Sequence, residues 1–143
     1  MTEWVTFEYA VLRVVPRIER DESMNAGVIV HCRARDYLRA KVALDRARLA
    51  ALDPEADADA VESVLASVAG ISGVPEPPRS DRHASGARSA TGPGSGEDIG
   101  RRFRRLTTPR STIVQPGPVH AGWTTDPEAE TDRLLRRLVL PPA

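Results

Sequence analysis

Residues 4–15 of the chain read WVTFEYAVLRVV. Apolar side chains occupy alternate positions from Val5 to Val11, whereas Thr6 and Glu8 lie between them. A repeat of two residues is the period of a β-strand, because successive side chains of a strand point to opposite faces of its sheet. The pattern therefore predicts a strand over residues 4–15.

Two further segments with the same period follow at short intervals. In residues 26–32 the side chains alternate so that Cys32 lies on one face and His31 on the other, and residues 37–44 alternate apolar with polar side chains. Short charged turns separate the three segments, which is typical of an antiparallel meander. A fourth, shorter strand is predicted over residues 111–115.

Three segments have the period or the capping signals of a helix. Residues 45–52 begin at Asp45, residues 57–69 carry an apolar stripe at i, i+3, i+4 and i+7, and residues 126–139 begin with an aspartate followed by proline. The sequence thus predicts a single α+β domain over residues 1–143, with an antiparallel sheet made of the meander and the later strand. We expect two or three helices on one face of that sheet, with 57–69 and 126–139 among them.

Residues 73–96 differ in composition from the rest of the chain. They consist largely of Pro, Gly, Ser, Arg and Ala, with almost no large apolar side chain. Such a segment has little apolar surface to bury, so we expect a flexible insertion within the domain, with a functional flap as the alternative. His83 lies in this insertion and is expected to be a solvated loop residue.

The overall composition limits the function classes. Twenty basic and 20 acidic residues give a net charge of zero, so no global positive field attracts the chain to nucleic acid or to an anionic membrane. A single cysteine, Cys32, excludes an internal disulfide and a multi-cysteine zinc site, and neither a metal nor a cofactor is expected. No signal peptide and no apolar run of roughly 20 residues is present, so we expect a cytoplasmic protein.

The basic segment, residues 101–112, is a local exception to this charge balance. It contains five arginines and no carboxylate: Arg101, Arg102, Arg104, Arg105 and Arg110. Guanidinium groups bind two phosphate oxygens at once, and the hydroxyls of Ser111 and Thr112 suit the same site.

Ionic pairing is the alternative interpretation of the basic segment. The acidic run, residues 53–62, contains five carboxylates and no basic residue: Asp53, Glu55, Asp57, Asp59 and Glu62. Exposed ion pairs contribute only about 0–1 kcal/mol, so stability is a weak reason for such clustering, although a solvated charged face needs no reason. Anion binding and acid pairing both remain open on the sequence alone.

Two single residues suggest either a binding or a structural role. Asn25 precedes Ala26-Gly27 at a strand entry, where its amide could contact a ligand, but turn chemistry is the preferred explanation. Arg13 interrupts an apolar strand. Because an unpaired buried charge is unfavourable, Arg13 is expected to lie at a sheet end, to face a cleft, or to pair with a carboxylate such as Glu22.

Catalytic signatures are sparse. His120 is a candidate acid or base, and Ser111 and Asp126 could join it in a hydrolytic triad, but no nucleophile elbow marks the serine. The glycine-rich residues 92–96 lack the following Gly-Lys-Ser/Thr of a phosphate-binding loop.

Several short motifs resemble one known family. They are Tyr9 to Pro16, Asn25 to Val30, Arg102-Phe103-Arg104, Leu106 to Thr112, Gln115-Pro116, Pro118-Val119-His120 and Asp126 to Glu130. Together they resemble the bacterial family catalogued as domain of unknown function 3037, over nearly the whole chain outside residues 73–96. The resemblance implies a small bacterial cytosolic protein that is often encoded beside a HipA-like kinase.

Two functions from different classes are therefore predicted. The first is a non-enzymatic accessory or regulatory binding module that partners a HipA-like kinase, as the resemblance implies. The second is an enzyme acting on a phosphorylated or nucleotide substrate, in which Arg104 and Arg110 hold phosphate and His120 is the acid or base. A phosphate, a nucleotide or a nucleic-acid backbone is the ligand class that the basic segment suits.

Overall fold

The computed structural model describes residues 3–73, 98–110 and 112–142. Residues 74–96 of the predicted insertion lie outside these ranges, and so does Ser111. Residue 73 is the last residue of a helix.

The described residues form one antiparallel sheet of five strands. They are β1 (Val5–Val14), β2 (Met24–Cys32), β3 (Tyr37–Val42), β4 (Val114–Pro116) and β5 (His120–Thr124). The first three strands form the predicted meander, and β4 pairs with the other edge of β1. β5, which the sequence pattern did not predict, pairs with β1 from Val5 to Tyr9 along that same edge. The predicted antiparallel sheet is confirmed, and β1 is its central strand.

Four helices accompany the sheet in the described ranges. They are α1 (Arg46–Leu52), α2 (Ala58–Gly73), α3 (Ile99–Leu106) and α4 (Pro127–Leu134). A wide π-type turn, Leu135–Val139, continues α4, so the predicted helix 126–139 is α-helical only in its first part. The side chains of Asp45, Asp98 and Asp126 accept hydrogen bonds from first-turn amides and thereby begin α1, α3 and α4. No helix within the described ranges is long and apolar enough to cross a membrane.

The helices cover both faces of the sheet. On one face, Leu12 and Ile29 pack against Phe103 of α3, and α1 and α2 cover the adjoining part of the same face. On the other face, Phe7 packs against Leu134 of α4. The chain is thus an α+β domain with three helices on one face and α4 with its π-type turn on the other.

The expectation that residues 57–69 and 126–139 pack on the same face is therefore wrong. The reason lies in β2, whose Val28 and Val30 point towards α4 while Ile29 points towards α3, all three fully buried. A strand that is apolar on both faces needs cover on both, so the helices must divide between them.

Polar side chains fix α4 to the sheet. The Tyr37 hydroxyl lies 2.8 Å from Thr131 Oγ1. Because Thr131 donates its own proton to the Pro127 carbonyl at 2.7 Å, the Tyr37 hydroxyl is the donor of this pair. Burial raises the pKa of Tyr37, which keeps it a neutral donor. Lys41 of β3 adds an ion pair with Asp132 of α4.

Gly27 is required by the close approach of β3 to β2. A β-carbon at this position would lie 2.8 Å from Val42 Cγ1 and 2.9 Å from the Lys41 carbonyl oxygen. The second of these atoms belongs to the backbone and cannot rotate away. Gly70 on the exposed side of α2 is the opposite case, because no heavy atom lies within 4 Å of its β-carbon position.

We predict opposite effects for the same substitution at these two glycines. Gly27→Ala should lower the free energy of unfolding by about 1–3 kcal/mol, because the added methyl overpacks the sheet. Gly70→Ala should raise it by about 0.5–1 kcal/mol, because alanine restricts the unfolded chain and favours the helix. Urea unfolding of the two variants measures both effects. An unchanged or increased free energy of unfolding in Gly27→Ala would show that β2 and β3 tolerate a side chain at position 27.

Candidate functional site

The basic segment is divided between two cavities on the surface of the protein. Arg104 on α3 lines a polar cavity, whereas Arg110, which follows α3, lines an apolar groove. Arg110 Nη2 donates to the Arg105 carbonyl at 3.1 Å, and Arg102 Nη1 lies 3.5 Å from the Ile71 carbonyl at the end of α2. Arg104 and Arg110, which were predicted to hold one phosphate, thus line different cavities, one polar and one apolar.

The apolar groove has a volume of about 580 Å³. It lies between α2, the chain leading into β4 and the turn after β1, and its apolar walls include Ile18, Val61, Val64, Val68 and Ile113. About half of each side chain of Ile18, Val64 and Ile113 is exposed to water. Arg110 is the one charged side chain among the described residues that line this groove.

Ion pairs hold the elements that form the apolar groove. Arg17, next to Ile18, donates to Asp53 at 3.1 Å and lies 3.3 Å from Glu55. This interaction ties the turn after β1 to the loop that precedes α2. The groove therefore has walls that are positioned before any partner binds.

The polar cavity has a volume of about 480 Å³. It lies between the end of β2, the turn that follows β2 and the first turn of α3. Its polar lining includes His31, Arg33, Asp36, Asp98 and Arg104.

His31 is the buried group of this polar cavity, with only 6% of its surface exposed. Its ring stacks on Phe103 with the centroids 5.1 Å apart, and its Nδ1 lies 3.3 Å from Glu8 Oε1. Nε2 of His31 is buried and has no hydrogen-bond partner among the described residues. The site thus combines a fixed imidazole with two guanidinium groups from different elements.

The family described as "Protein of unknown function (DUF3037)" matches residues 9–139. The chain belongs to this family. No curated protein and no solved structure matches the chain. The resemblance inferred from the short motifs is confirmed. A function for this DUF3037 member is inferred below from the residues that line the apolar groove and the polar cavity.

Arg13 and Asn25 of the DUF3037 chain lie opposite each other in the β1–β2 register. The Asn25 amide donates to the Leu138 carbonyl at 3.0 Å, which satisfies the end of the π-type turn. Arg13 Nε is buried and has no hydrogen-bond partner among the described residues. The expected pair with Glu22 is not formed, because Glu22 binds the nearer Arg20 at 2.7 Å.

Two residues of the predicted triad, His120 and Asp126, have other contacts in the structure. The exposed ring of His120 lies against Tyr9, with the ring centroids 5.2 Å apart. Asp126 accepts hydrogen bonds from two amides at the start of α4. Thr112 donates to the Val114 carbonyl at 2.8 Å, and Ser111 is outside the described residues. The described ranges contain no cluster of three or more histidine, cysteine or carboxylate ligands for a metal ion.

The acidic run is bound mainly by arginines outside the basic segment. Arg17 contacts its first two carboxylates, and Arg46 of α1 binds Asp59 at 2.6 Å and also binds Glu62. Asp57 accepts from the Ala60 amide and caps α2. The hydrogen bond from Arg46 lowers the pKa of Glu62. These contacts favour local pairing over the predicted alternative of pairing with the basic segment.

The sequence pattern did not indicate His31, Arg33 or Gly100 as site residues. Arg33 was assigned to a turn between strands, and α3 was not predicted as a helix. The pair Asp98 and Gly100 was the available signal, since an aspartate before a short apolar and basic repeat is a helix start. Contact between that helix start and β2 could not be read from the pattern.

We predict that the pKa of Glu62 depends on Arg46 and not on the basic segment. Arg46→Gln should raise that pKa towards its ordinary value of 4.5, because the hydrogen bond to the carboxylate is lost. Since the folded state lowers the pKa, the pair stabilises the fold above pH 4.5, and this stabilisation is lost as the pH falls through the lowered value.

Carbon-13 NMR titration of the glutamate carboxyls measures this shift. Arg104→Gln is the matched control in the basic segment and should leave the Glu62 titration unchanged. An equal rise of the Glu62 pKa in Arg104→Gln would contradict local pairing.

Proposed function

We propose that this DUF3037 protein is a cytoplasmic accessory module, without enzymatic activity of its own, that binds a partner protein in the apolar groove. The exposure of Ile18, Val64 and Ile113 around one concave surface is the observation that carries the proposal. Contiguous apolar surface of this kind marks interaction sites in proteins.

A partner that fills the groove removes apolar surface from water, which favours binding. Each Å² of apolar surface that a partner removes from water contributes about 25 cal/mol, so half-exposed aliphatic walls favour an occupant. The groove is already shaped, because Arg17 and its carboxylates hold the turn after β1 against the loop that precedes α2. Binding to a preformed groove orders few side chains, which keeps its entropic cost low.

Charge indicates the chemistry of the partner. Arg110 lines the groove, is exposed to solvent, and donates to the Arg105 carbonyl through Nη2. A partner helix with apolar side chains at i, i+3 and i+4 and one carboxylate at its edge complements this surface. An acidic amphipathic helix is therefore the occupant that we propose.

The proposed source of that helix is a HipA-like kinase, which the family resemblance implies as a neighbour of this chain. A regulatory role follows from such a complex, because a module that covers part of a kinase alters its access to other proteins.

Mixing the purified chain with the kinase encoded beside it tests the proposal by isothermal titration calorimetry. We expect a one-to-one complex that Val64→Asp weakens at least about tenfold, because binding would bury an unpaired carboxylate in an apolar site. Val119→Asp is the matched control, since Val119 is 44% exposed, compared with 48% for Val64, but does not line the groove. Arg110→Ala should reduce the salt dependence of binding.

Three outcomes would overturn the proposal. They are the absence of a complex, equal weakening by Val64→Asp and Val119→Asp, and a homodimer of this chain that Val64→Asp dissociates. Circular dichroism melts of both variants verify that the fold is retained, which is expected because both side chains are half exposed.

A further inference from the structure

Gly100, in the first turn of α3, is one of the residues that line the polar cavity. The position that a β-carbon of Gly100 would occupy lies 3.6 Å from His31 Cε1, 3.8 Å from Arg104 Nη2 and 3.8 Å from Asp98 Oδ1. His31 of β2, Asp98 at the start of α3 and Arg104 in its second turn thus all lie close to this position. The absence of a side chain at Gly100 leaves that point open.

His31 contributes a polar atom that the described residues do not satisfy. Its ring is held from two sides, by the stack on Phe103 and by Glu8, which lies directly opposite His31 in the β1–β2 register. Nε2 is buried without a hydrogen-bond partner among the described residues, and His31 lines the cavity. A buried polar atom of this kind costs free energy until a ligand or water bonds it.

The positions of the protons on the His31 ring determine whether Nε2 accepts or donates a hydrogen bond to a ligand. Glu8 is an acceptor, so its bond to Nδ1 places a proton on Nδ1 and leaves Nε2 as an acceptor in the neutral ring. In the doubly protonated ring, Nε2 becomes a donor instead. A phosphate group at neutral pH carries both protonated and unprotonated oxygens and therefore fits either state.

Arginines provide the charge that such a ligand needs. Arg33, in the turn after β2, and Arg104, on α3, both line the cavity and come from different elements. Guanidinium groups form paired, charge-assisted hydrogen bonds with phosphate oxygens. The bond from the Gly100 amide to Asp98 Oδ1, at 3.2 Å, shows that this helix start already accommodates negative charge.

The carboxylates of the polar cavity indicate which groups the ligand carries besides its phosphate. Asp36 and Asp98 line the same cavity, so two negative charges balance the two guanidinium groups. Asp36 is exposed, and a hydroxylated molecule offers O–H groups to its carboxylate that a bare anion lacks. We propose that this cavity binds a small hydroxylated phosphomonoester, with its phosphate on Arg33, Arg104 and His31 Nε2 and its hydroxyls on Asp36. This proposal is independent of partner binding in the apolar groove.

Titration calorimetry at constant ionic strength, with inorganic phosphate and with ribose 5-phosphate as probes, tests the proposal. We expect ribose 5-phosphate to bind more tightly than inorganic phosphate. Arg104→Ala should weaken both probes at least about tenfold, because charge-assisted hydrogen bonds are lost. Arg101→Ala is the matched control, since Arg101 is an exposed arginine of the same helix that does not line the cavity, and it should leave both affinities unchanged.

Two further variants separate the parts of the site while keeping the fold. Gly100→Ala places a methyl at this position at ordinary contact distances, so it should fold as the wild type does and bind both probes more weakly. Asp36→Asn keeps a residue that tolerates the left-handed backbone at φ 52°. It should bind inorganic phosphate as tightly as the wild type but lose the additional affinity for ribose 5-phosphate.

Nitrogen-15 NMR of the three histidines gives a direct reading of the site. Inorganic phosphate should shift the Nε2 resonance of His31 and leave that of His120 unchanged. The proposal is overturned if phosphate does not bind, if Arg101→Ala weakens binding as much as Arg104→Ala, or if the His31 resonance does not move in the bound protein.

Discussion

Hydrogen bonding along both edges of β1 is the constraint on which the rest of the structure depends. One edge pairs with β2, and the other pairs first with β5 and then with β4, which follow one another along the strand. The Gly117 amide donates to the Val11 carbonyl at 2.7 Å and bridges the interval between the two short strands. Residues near both ends of the chain are therefore held in one sheet by a single central strand.

This arrangement determines where the helices lie. Because β2 is buried on both faces beside β1, neither face of the sheet's centre can remain in water. α1, α2 and α3 cover one face, and α4 covers the other with the help of Tyr37, Lys41 and Asn25. Both candidate sites are consequences of this division, since the apolar groove lies beside α2 and the polar cavity lies at the start of α3.

The described carboxylates of this protein bind basic residues both near and distant in sequence, and the acidic run binds Arg17 and Arg46. Arg20 binds Glu22, Arg133 binds Glu130, and Arg46 binds the first turns of the neighbouring α2. A segment with five positive charges and a segment with five negative charges therefore do not have to meet. Exposed ion pairs add little stability, whereas the burial of Phe103 and Leu106 in the core determines how α3 presents its arginines.

The amino-acid sequence by itself determined the elements whose signals are local. The alternation after Val5 predicted β1, the next two alternating segments predicted the meander, and Asp126 before proline predicted the start of α4, because strand period and helix caps depend on neighbouring residues. The motifs of the same segments also led to the family. α3 and β5 were missed, since α3 is only eight residues long, with Ile99, Phe103 and Leu106 among four arginines and a glycine, and β5 is short and contains Gly122.

Only the tertiary structure decided which face each helix covers and which side chains share a cavity. His31 was recognised as a strand residue, but its place beside Gly100 and Arg104 depends on contact between β2 and a helix that follows it by more than sixty residues. Arg104 and Arg110 are close in sequence and yet line different cavities, because the chain leaves α3 between them. Periodicity specifies which side of an element is buried, whereas the packing of distant elements specifies what that side meets.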